Sequence, residues 1–167
     1  MGGAVYYKWL GVAWHIGRMA NGNKLPEPGL VERKMDYVVG ASLLVRSSYL
    51  QEVGLMAEDY FLYFEEIDWV TRGRGRCVLA YAPKSVVYHK VGASIGTATN
   101  PLRKSLQSDY YSLCNRLLVT RRFFPYALPG IYAGLAMELL VRMLLGRWRV
   151  AWLVSRTILT GRTAAGI

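Results

Sequence analysis

A chain of 167 residues with 53% hydrophobic and 13% aromatic side chains can bury the core of one domain, which excludes an intrinsically disordered segment. The formal charge of +10 is unevenly spread: residues 1–100 hold 11 Lys/Arg against 9 Asp/Glu, whereas residues 101–167 hold 10 against 2. The first part is near neutral and the tail carries +8, which calls for an anionic partner of the tail, either nucleic acid or a lipid surface.

The N-terminus lacks a basic region followed by an apolar core, so no signal peptide is expected. Met1-Gly2 opens like a myristoylation signal, but Tyr6 stands where that signal wants Ser or Thr. Residues 2–16 are apolar, aromatic and punctuated by glycine, with no clean period. They read as packing material cut from something larger, with His15 a core or partly buried side chain, since no second ligand type lies near it. Residues 18–35 hold Asn21-Gly22-Asn23 and Pro26-Glu27-Pro28-Gly29, which is loop chemistry.

Residues 36–46 are rich in branched side chains and predict a buried strand, interrupted at Gly40 by a bulge or a close approach of the backbone to a ligand. Ser47 then caps a short helix over 48–53, closed by Gly54. The acidic stretch Glu58-Asp-Tyr-Phe-Leu-Tyr-Phe-Glu-Glu-Ile-Asp-Trp69 follows, with five acids in twelve residues and four aromatics between the first pair and the second. A helix over 64–72, ended by Gly73 and Gly75, puts Glu65 and Glu66 in its first turn, where the helix dipole favours negative charge. Asp68 shares the face of Glu65, and Glu66 points about 100° away. Two carboxylates at a helix mouth, backed by an aromatic wall, suit a general base that is held still and partly dried. The same residues also fit a solvated first turn that simply favours acids.

Residues 77–81 and 85–88 read as two short strands split by Pro83. Arg72-Gly-Arg-Gly-Arg76 has the look of a nucleic-acid-binding run, but no RNA-stacking motif accompanies it, and no nucleic-acid partner is expected. Gly92-Ala-Ser-Ile-Gly96 matches a nucleophile elbow, yet a loop follows it and both histidines lie upstream, so the match is accidental. Leu106, Tyr110, Leu113 and Leu117 step as one face of a helix over 102–124, broken by Pro125 and Pro129. The run 131–159 is helical and apolar, interrupted by Glu138, Arg142, Arg147, Arg149 and Arg156. A membrane span needs about 20 apolar residues, and the longest uncharged stretch, 123–137, stops short of that. Glu138 and Arg142, at i and i+4, can neutralise each other, which keeps a span open as an alternative. The preferred reading lays amphipathic helices on an anionic membrane surface, with Trp148 and Trp152 at headgroup level. Cys77 and Cys114 have no metal-type spacing, so reduced thiols and a cytosolic setting are expected.

Val39-Gly-Ala-Ser-Leu-Leu-Val-Arg46, Glu52-Val-Gly-Leu55, the acidic stretch to Asp68, Arg72, Pro83, His89 and Gly92-Ala-Ser94 together resemble the second half of a family 2 inverting glycosyltransferase. Within that family the pattern is similar to the rhamnosyltransferase-like enzymes of bacterial cell-surface polysaccharide synthesis. Asp109-Tyr-Tyr-Ser-Leu-Cys-Asn-Arg-Leu117 resembles the Tyr-Tyr-x-x-Arg-Asn segment of that branch, with Cys114 where the family usually has Arg. The resemblance covers about residues 36–125.

It implies an α/β fold: a partial GT-A, Rossmann-like sandwich followed by C-terminal amphipathic helices. Residues 1–100 would be the acceptor and catalytic half, and 101–167 a basic helical tail at the cytoplasmic face of the cell membrane. In such enzymes the first half binds the nucleotide and ends in an Asp-x-Asp pair that holds a divalent metal, Mg or Mn. This sequence has no Asp-x-Asp and no early βαβ unit, so it reads as a truncated or split enzyme, inactive alone. By the same resemblance Glu66 matches the general base, and Glu65 the acid before it. The family more often has Asp at the base, and Glu reaches one methylene further with a similar solution pKa, about 4.3 against 3.9. Asp68, Trp69 and Arg72 match positions that support or meet the acceptor, Gly40-Ala41 the strand beneath the sugar, and His89 a histidine that completes the metal site in some relatives. The implied partners are a nucleotide-sugar donor, a glycan or lipid-linked acceptor and an anionic membrane. The alternative is a basic peripheral membrane or nucleic-acid-binding module without catalysis.

Overall fold

The computed structural model describes residues 2–18, 26–88 and 105–160. They form two compact units, one of residues 2–7, 12–18, 26–57 and 65–88 and the other of residues 8–11, 58–64 and 105–160. Among the described residues the architecture is mixed α/β, with a three-stranded sheet and six helices.

In the first unit, the apolar N-terminal run forms two strands, β1 (Gly3–Tyr7) and β2 (Val12–His15). They pair antiparallel from Ala4 opposite His15 to Tyr7 opposite Val12. Ala4 and Tyr6 are buried while Tyr7 is exposed, the two-residue alternation of a strand with one covered face. This alternation is too short to stand out from the flanking glycines and aromatics, so the strands were not legible in the sequence. A third strand, β3 (Tyr37–Val38), pairs with the other edge of β1 and gives the order β2-β1-β3. The strand expected over 36–46 is thus reduced to two residues. Beyond Val38 the chain turns, and Leu44 is fully exposed. Branched residues favour a strand only where a neighbouring strand and a covered face exist, and the last backbone bond to the N-terminal segment is that of the Val39 amide to the Gly2 carbonyl at 3.0 Å. The other expected strands, 77–81 and 85–88, are irregular and mostly exposed.

Helix α1 (Pro28–Lys34) lies where a loop was expected. Pro28 sits in its first turn, where a missing N–H costs nothing, and Arg33 and Lys34 complement the dipole in its last. It buries Val31. Helix α2 (Ser47–Val53) closes at Gly54, whose φ of 81° with ψ of −171° is a backbone conformation open essentially to glycine alone. Helix α3 (Glu65–Arg72) starts one residue later than the sequence suggests, because Phe64 is itself left-handed.

The second unit is built on α4 (Leu106–Phe123), α5 (Leu128–Leu144) and α6 (Trp148–Thr160). Ser105 caps α4 by accepting the amide of Ser108 at 3.1 Å. Pro125 opens a short 3-10 turn (Pro125–Ala127), and Pro129 falls in the first turn of α5, so both prolines punctuate the helices without kinking them. Gly146, at φ 67°, separates α5 from α6. Leu113, Leu117, Ile131, Leu135, Val150 and Val154 form the core between these three helices. Residues 8–11 belong here too: Trp9 meets the Tyr126 ring edge-on at 5.5 Å, and a side chain at Gly130 would run into the Trp9 carbonyl.

Charged residues inside this unit are paired. Arg142, almost fully buried, bridges Asp109 at 3.5 Å and Glu138 one turn earlier, and Arg116 reaches Glu138 at 3.4 Å. The i and i+4 neutralisation foreseen for Glu138 and Arg142 therefore forms. The segment Pro125–Leu144 is long and apolar enough to cross a membrane by length and composition, with 22% of its most apolar window buried. Trp148 and Trp152 on α6 are exposed, as are Leu144 and Leu145.

Candidate active site

The acids of α3 occupy its first turn, and the turn after β3 holds the second of them. The chain leaves β3 and reaches Gly40, whose amide donates to Glu66 Oε1 at 2.9 Å. A Cβ at position 40 would collide with that carboxylate oxygen and crowd the rest of the Glu66 side chain. A side chain at position 40 would therefore push the carboxylate out of this place. The close approach anticipated at Gly40 exists, and its partner is an acid of the same chain. Ala41 follows in an exposed turn.

Glu65 differs from its neighbour. Its Oε2 is buried with no hydrogen-bond partner among the described residues. Burial, and then the adjacent Glu66 charge, push its carboxyl up to about 7, against a smaller opposing pull from a backbone hydrogen bond. Two carboxyls side by side, one anchored by an amide and one titrating near neutrality, can divide proton-accepting and proton-holding roles. Two further groups lie within electrostatic reach. Burial, then Glu66, raises the Tyr37 hydroxyl, so it stays protonated. His15 is lowered chiefly by burial and then by Arg18, with Glu66 opposing, which favours the neutral imidazole at pH 7.

Asp68, Trp69 and Arg72 are engaged in the framework of the first unit. Asp68 is fully buried and takes Arg72 Nε at 2.6 Å. Arg72 also donates to the carbonyls of Val53 and Leu55, each at 2.7 Å, and Trp69 Nε1 donates to the carbonyl between them, Gly54, at 2.8 Å. Three successive carbonyls at the end of α2, which no helix would satisfy, are thereby taken up by α3. Tyr49 closes the joint, its ring against Trp69 at 5.1 Å and its hydroxyl on the Trp69 carbonyl at 2.7 Å. His89 lies outside the described residues, as does the Gly92–Gly96 motif. Among the described residues no three His, Cys, Asp or Glu side chains converge to hold a metal ion.

The sequence is 32% identical over 87 residues to N-acetylglucosaminyl-diphospho-decaprenol L-rhamnosyltransferase in two strains of Mycobacterium tuberculosis. The match takes in 51% of this chain and 28% of the length of those relatives. Over that stretch the chain has a glycosyltransferase-like relationship. No family model matches the sequence, and no solved structure matches it.

Proposed function

We propose that these residues are the acceptor-side, catalytic half of an inverting family 2 glycosyltransferase of the rhamnosyltransferase-like branch, their sheet forming part of a GT-A sandwich. The observation that carries the reading is the pair at the mouth of α3: Glu66 anchored by the Gly40 amide, beside a half-buried Glu65 whose carboxyl is pushed up to about 7. In this mechanism Glu66 takes the proton of the acceptor hydroxyl as that oxygen attacks the anomeric carbon of the donor sugar. The bond to the nucleoside diphosphate breaks on the opposite face, its electron pair leaves with the phosphate, and the configuration inverts. Asp68, Trp69 and Arg72 act on the acceptor through the rigidity they give α3.

The mycobacterial relatives are named for rhamnosyl transfer on N-acetylglucosaminyl-diphospho-decaprenol, and we assign an acceptor of that lipid-linked class to this chain. The donor is a nucleotide-sugar, held by a portion outside these 167 residues. The resemblance also implies Mg or Mn. The described residues do not by themselves make a metal site, so its acidic ligands are assigned to the nucleotide-binding portion, with His89 as the histidine that would complete it. Transfer from a nucleotide-linked deoxyhexose to a polyprenyl-diphosphate-linked N-acetylhexosamine tests the reading. Turnover is expected when these residues are joined to a nucleotide-binding portion carrying an Asp-x-Asp pair, and none from residues 1–167 alone. Turnover by the isolated chain would overturn this division of labour. Its absence in the joined protein would favour a basic membrane module without catalysis.

The tail is assigned to the cytoplasmic membrane surface. Exposed Leu144, Leu145, Trp148 and Trp152 form an apolar set beside the exposed cations Arg149 and Arg156, a combination suited to anionic headgroups. High salt or alkaline carbonate is expected to release the intact protein from membranes. Retention after a carbonate wash would make Pro125–Leu144 a true span and sink the surface reading.

A further inference from the structure

We propose that Phe61, backed by Tyr111, is a stacking platform for the pyranose ring of an uncharged sugar. The proposal takes from the glycosyltransferase reading only the class of ligand, and all of its residues lie in the second unit. It starts from three non-glycine residues with positive φ in one short loop: Phe61 at 54°, Tyr63 at 67° and Phe64 at 73°. Bulky aromatics seldom adopt this region, and such conformations persist only where the surroundings over-determine them. What the strained loop delivers is an open ring. Phe61 keeps 67% of its surface exposed to solvent, while Tyr60 before it is fully buried.

One face of α4 holds the loop. Ser108, Asn115 and Arg122 are spaced by seven residues, two helical turns, and so lie in one row. Ser108 shares a hydrogen bond with the Tyr63 hydroxyl at 2.8 Å. Arg122 pairs with Asp59 at 2.7 Å and lies over the Tyr60 ring. Between them the fully buried Asn115 donates from Nδ2 to the carbonyls of Tyr60, Leu62 and Tyr63 at 2.6, 2.7 and 3.1 Å. The backbone on both sides of Phe61 is thus fixed. Its ring is set 4.9 Å from that of Tyr111, and Tyr110 meets Tyr111 edge-on at 5.3 Å. A ring held in place beforehand loses little further freedom when a ligand lands on it. One such ring exposes on the order of 100 Å², far below the ~800 Å² per partner of a stable protein interface, so the occupant is small. The charges around it are of both signs: exposed Glu58 and Asp59 in the loop, Arg122 on Asp59, and exposed Arg156 within electrostatic reach of Tyr110. They give an anionic lipid surface no net attraction. A pyranose suits both features. Its C–H bonds make one face apolar and weakly positive, which fits the negative face of an aromatic ring, and its hydroxyls have the Glu58 and Asp59 carboxylates to donate to.

Titration of the full chain with the methyl glycoside of N-acetylglucosamine, followed by NMR of the aromatic side chains, tests this. The ring signals of Phe61 and Tyr111 are expected to shift together, and their saturation should transfer to protons on one face of the sugar. Phe61→Ala should weaken binding about tenfold, the loss of one stacking contact. Phe61→Trp should keep it, since the larger ring offers the same kind of face. Phe61 is exposed, so Phe61→Ala should leave α4, α5 and α6 folded, which their amide exchange checks. Silent Phe61 and Tyr111 rings, or binding unchanged in Phe61→Ala, would overturn the proposal. So would anionic phospholipid vesicles that cover the Phe61 ring where the sugar does not, which would make the loop a lipid contact. Sugar stacking without transfer by the joined protein would leave the platform standing and remove the catalytic reading. Transfer with silent rings would do the reverse.

Discussion

Glu66→Gln in the intact transferase is expected to lower kcat by about 10²–10⁴-fold with little change in donor binding, the loss typical of removing a general base. The amide keeps the shape of the side chain and can still accept the Gly40 N–H that now reaches Oε1, so the change removes basicity and leaves the position. Glu66→Asp should recover only part of the rate. The shorter acid is basic enough, but it gives up the reach to the Gly40 amide. Glu65→Gln should cost less and should flatten the part of the pH profile near 7 that a neighbouring group titrating there imposes. Steady-state kinetics across pH 5–9 would check all three variants. If Glu65→Gln is the more damaging change and Glu66→Gln is nearly silent, the base is Glu65, and the anchored acid is its support.

The second large effect is on stability. Arg142→Leu should destabilise the helical unit by about 3–5 kcal/mol, because it leaves the Asp109 carboxylate buried without the guanidinium that faces it at 3.5 Å. Removing both charges, with Asp109→Asn added, should cost clearly less than Arg142→Leu alone, since the desolvated charge is gone. Denaturant unfolding of the two variants measures the difference. A loss under about 1 kcal/mol for Arg142→Leu would place this pair with surface ion pairs of small worth.

Much of the candidate site was visible in residue types, and much of the fold was not. The acidic pair at a helix start is local chemistry: Glu65 and Glu66 fall in the first turn of α3 because acids favour that end, and Arg72 closes the last. Gly54 and Gly73 marked helix ends for equally local reasons. Strands are different, since they exist only through partners distant in sequence. Residues 36–46 carry a strand-like composition, but only Tyr37 and Val38 of them form a strand beside β1. The N-terminal strands hid behind glycines, and α1 behind a cluster of prolines that also serves to start helices. Asn115 stood inside a segment already singled out, yet no property of an asparagine in a helical run announces three carbonyls more than fifty residues earlier. Asp68, Trp69 and Arg72 could be chosen by position, but their engagement with the end of α2 depends on packing that no spacing rule contains.

The contact between Gly40 and Glu66 bears on how the gene tolerates change. Every missense substitution at codon 40 adds at least a β-carbon, and that carbon has no room while the Glu66 carboxylate rests there. Two codons 26 positions apart thus specify one object, the placement of a single acid. A lesion at the glycine would present as a lesion of the acid, in a chain whose acidic residues are all intact.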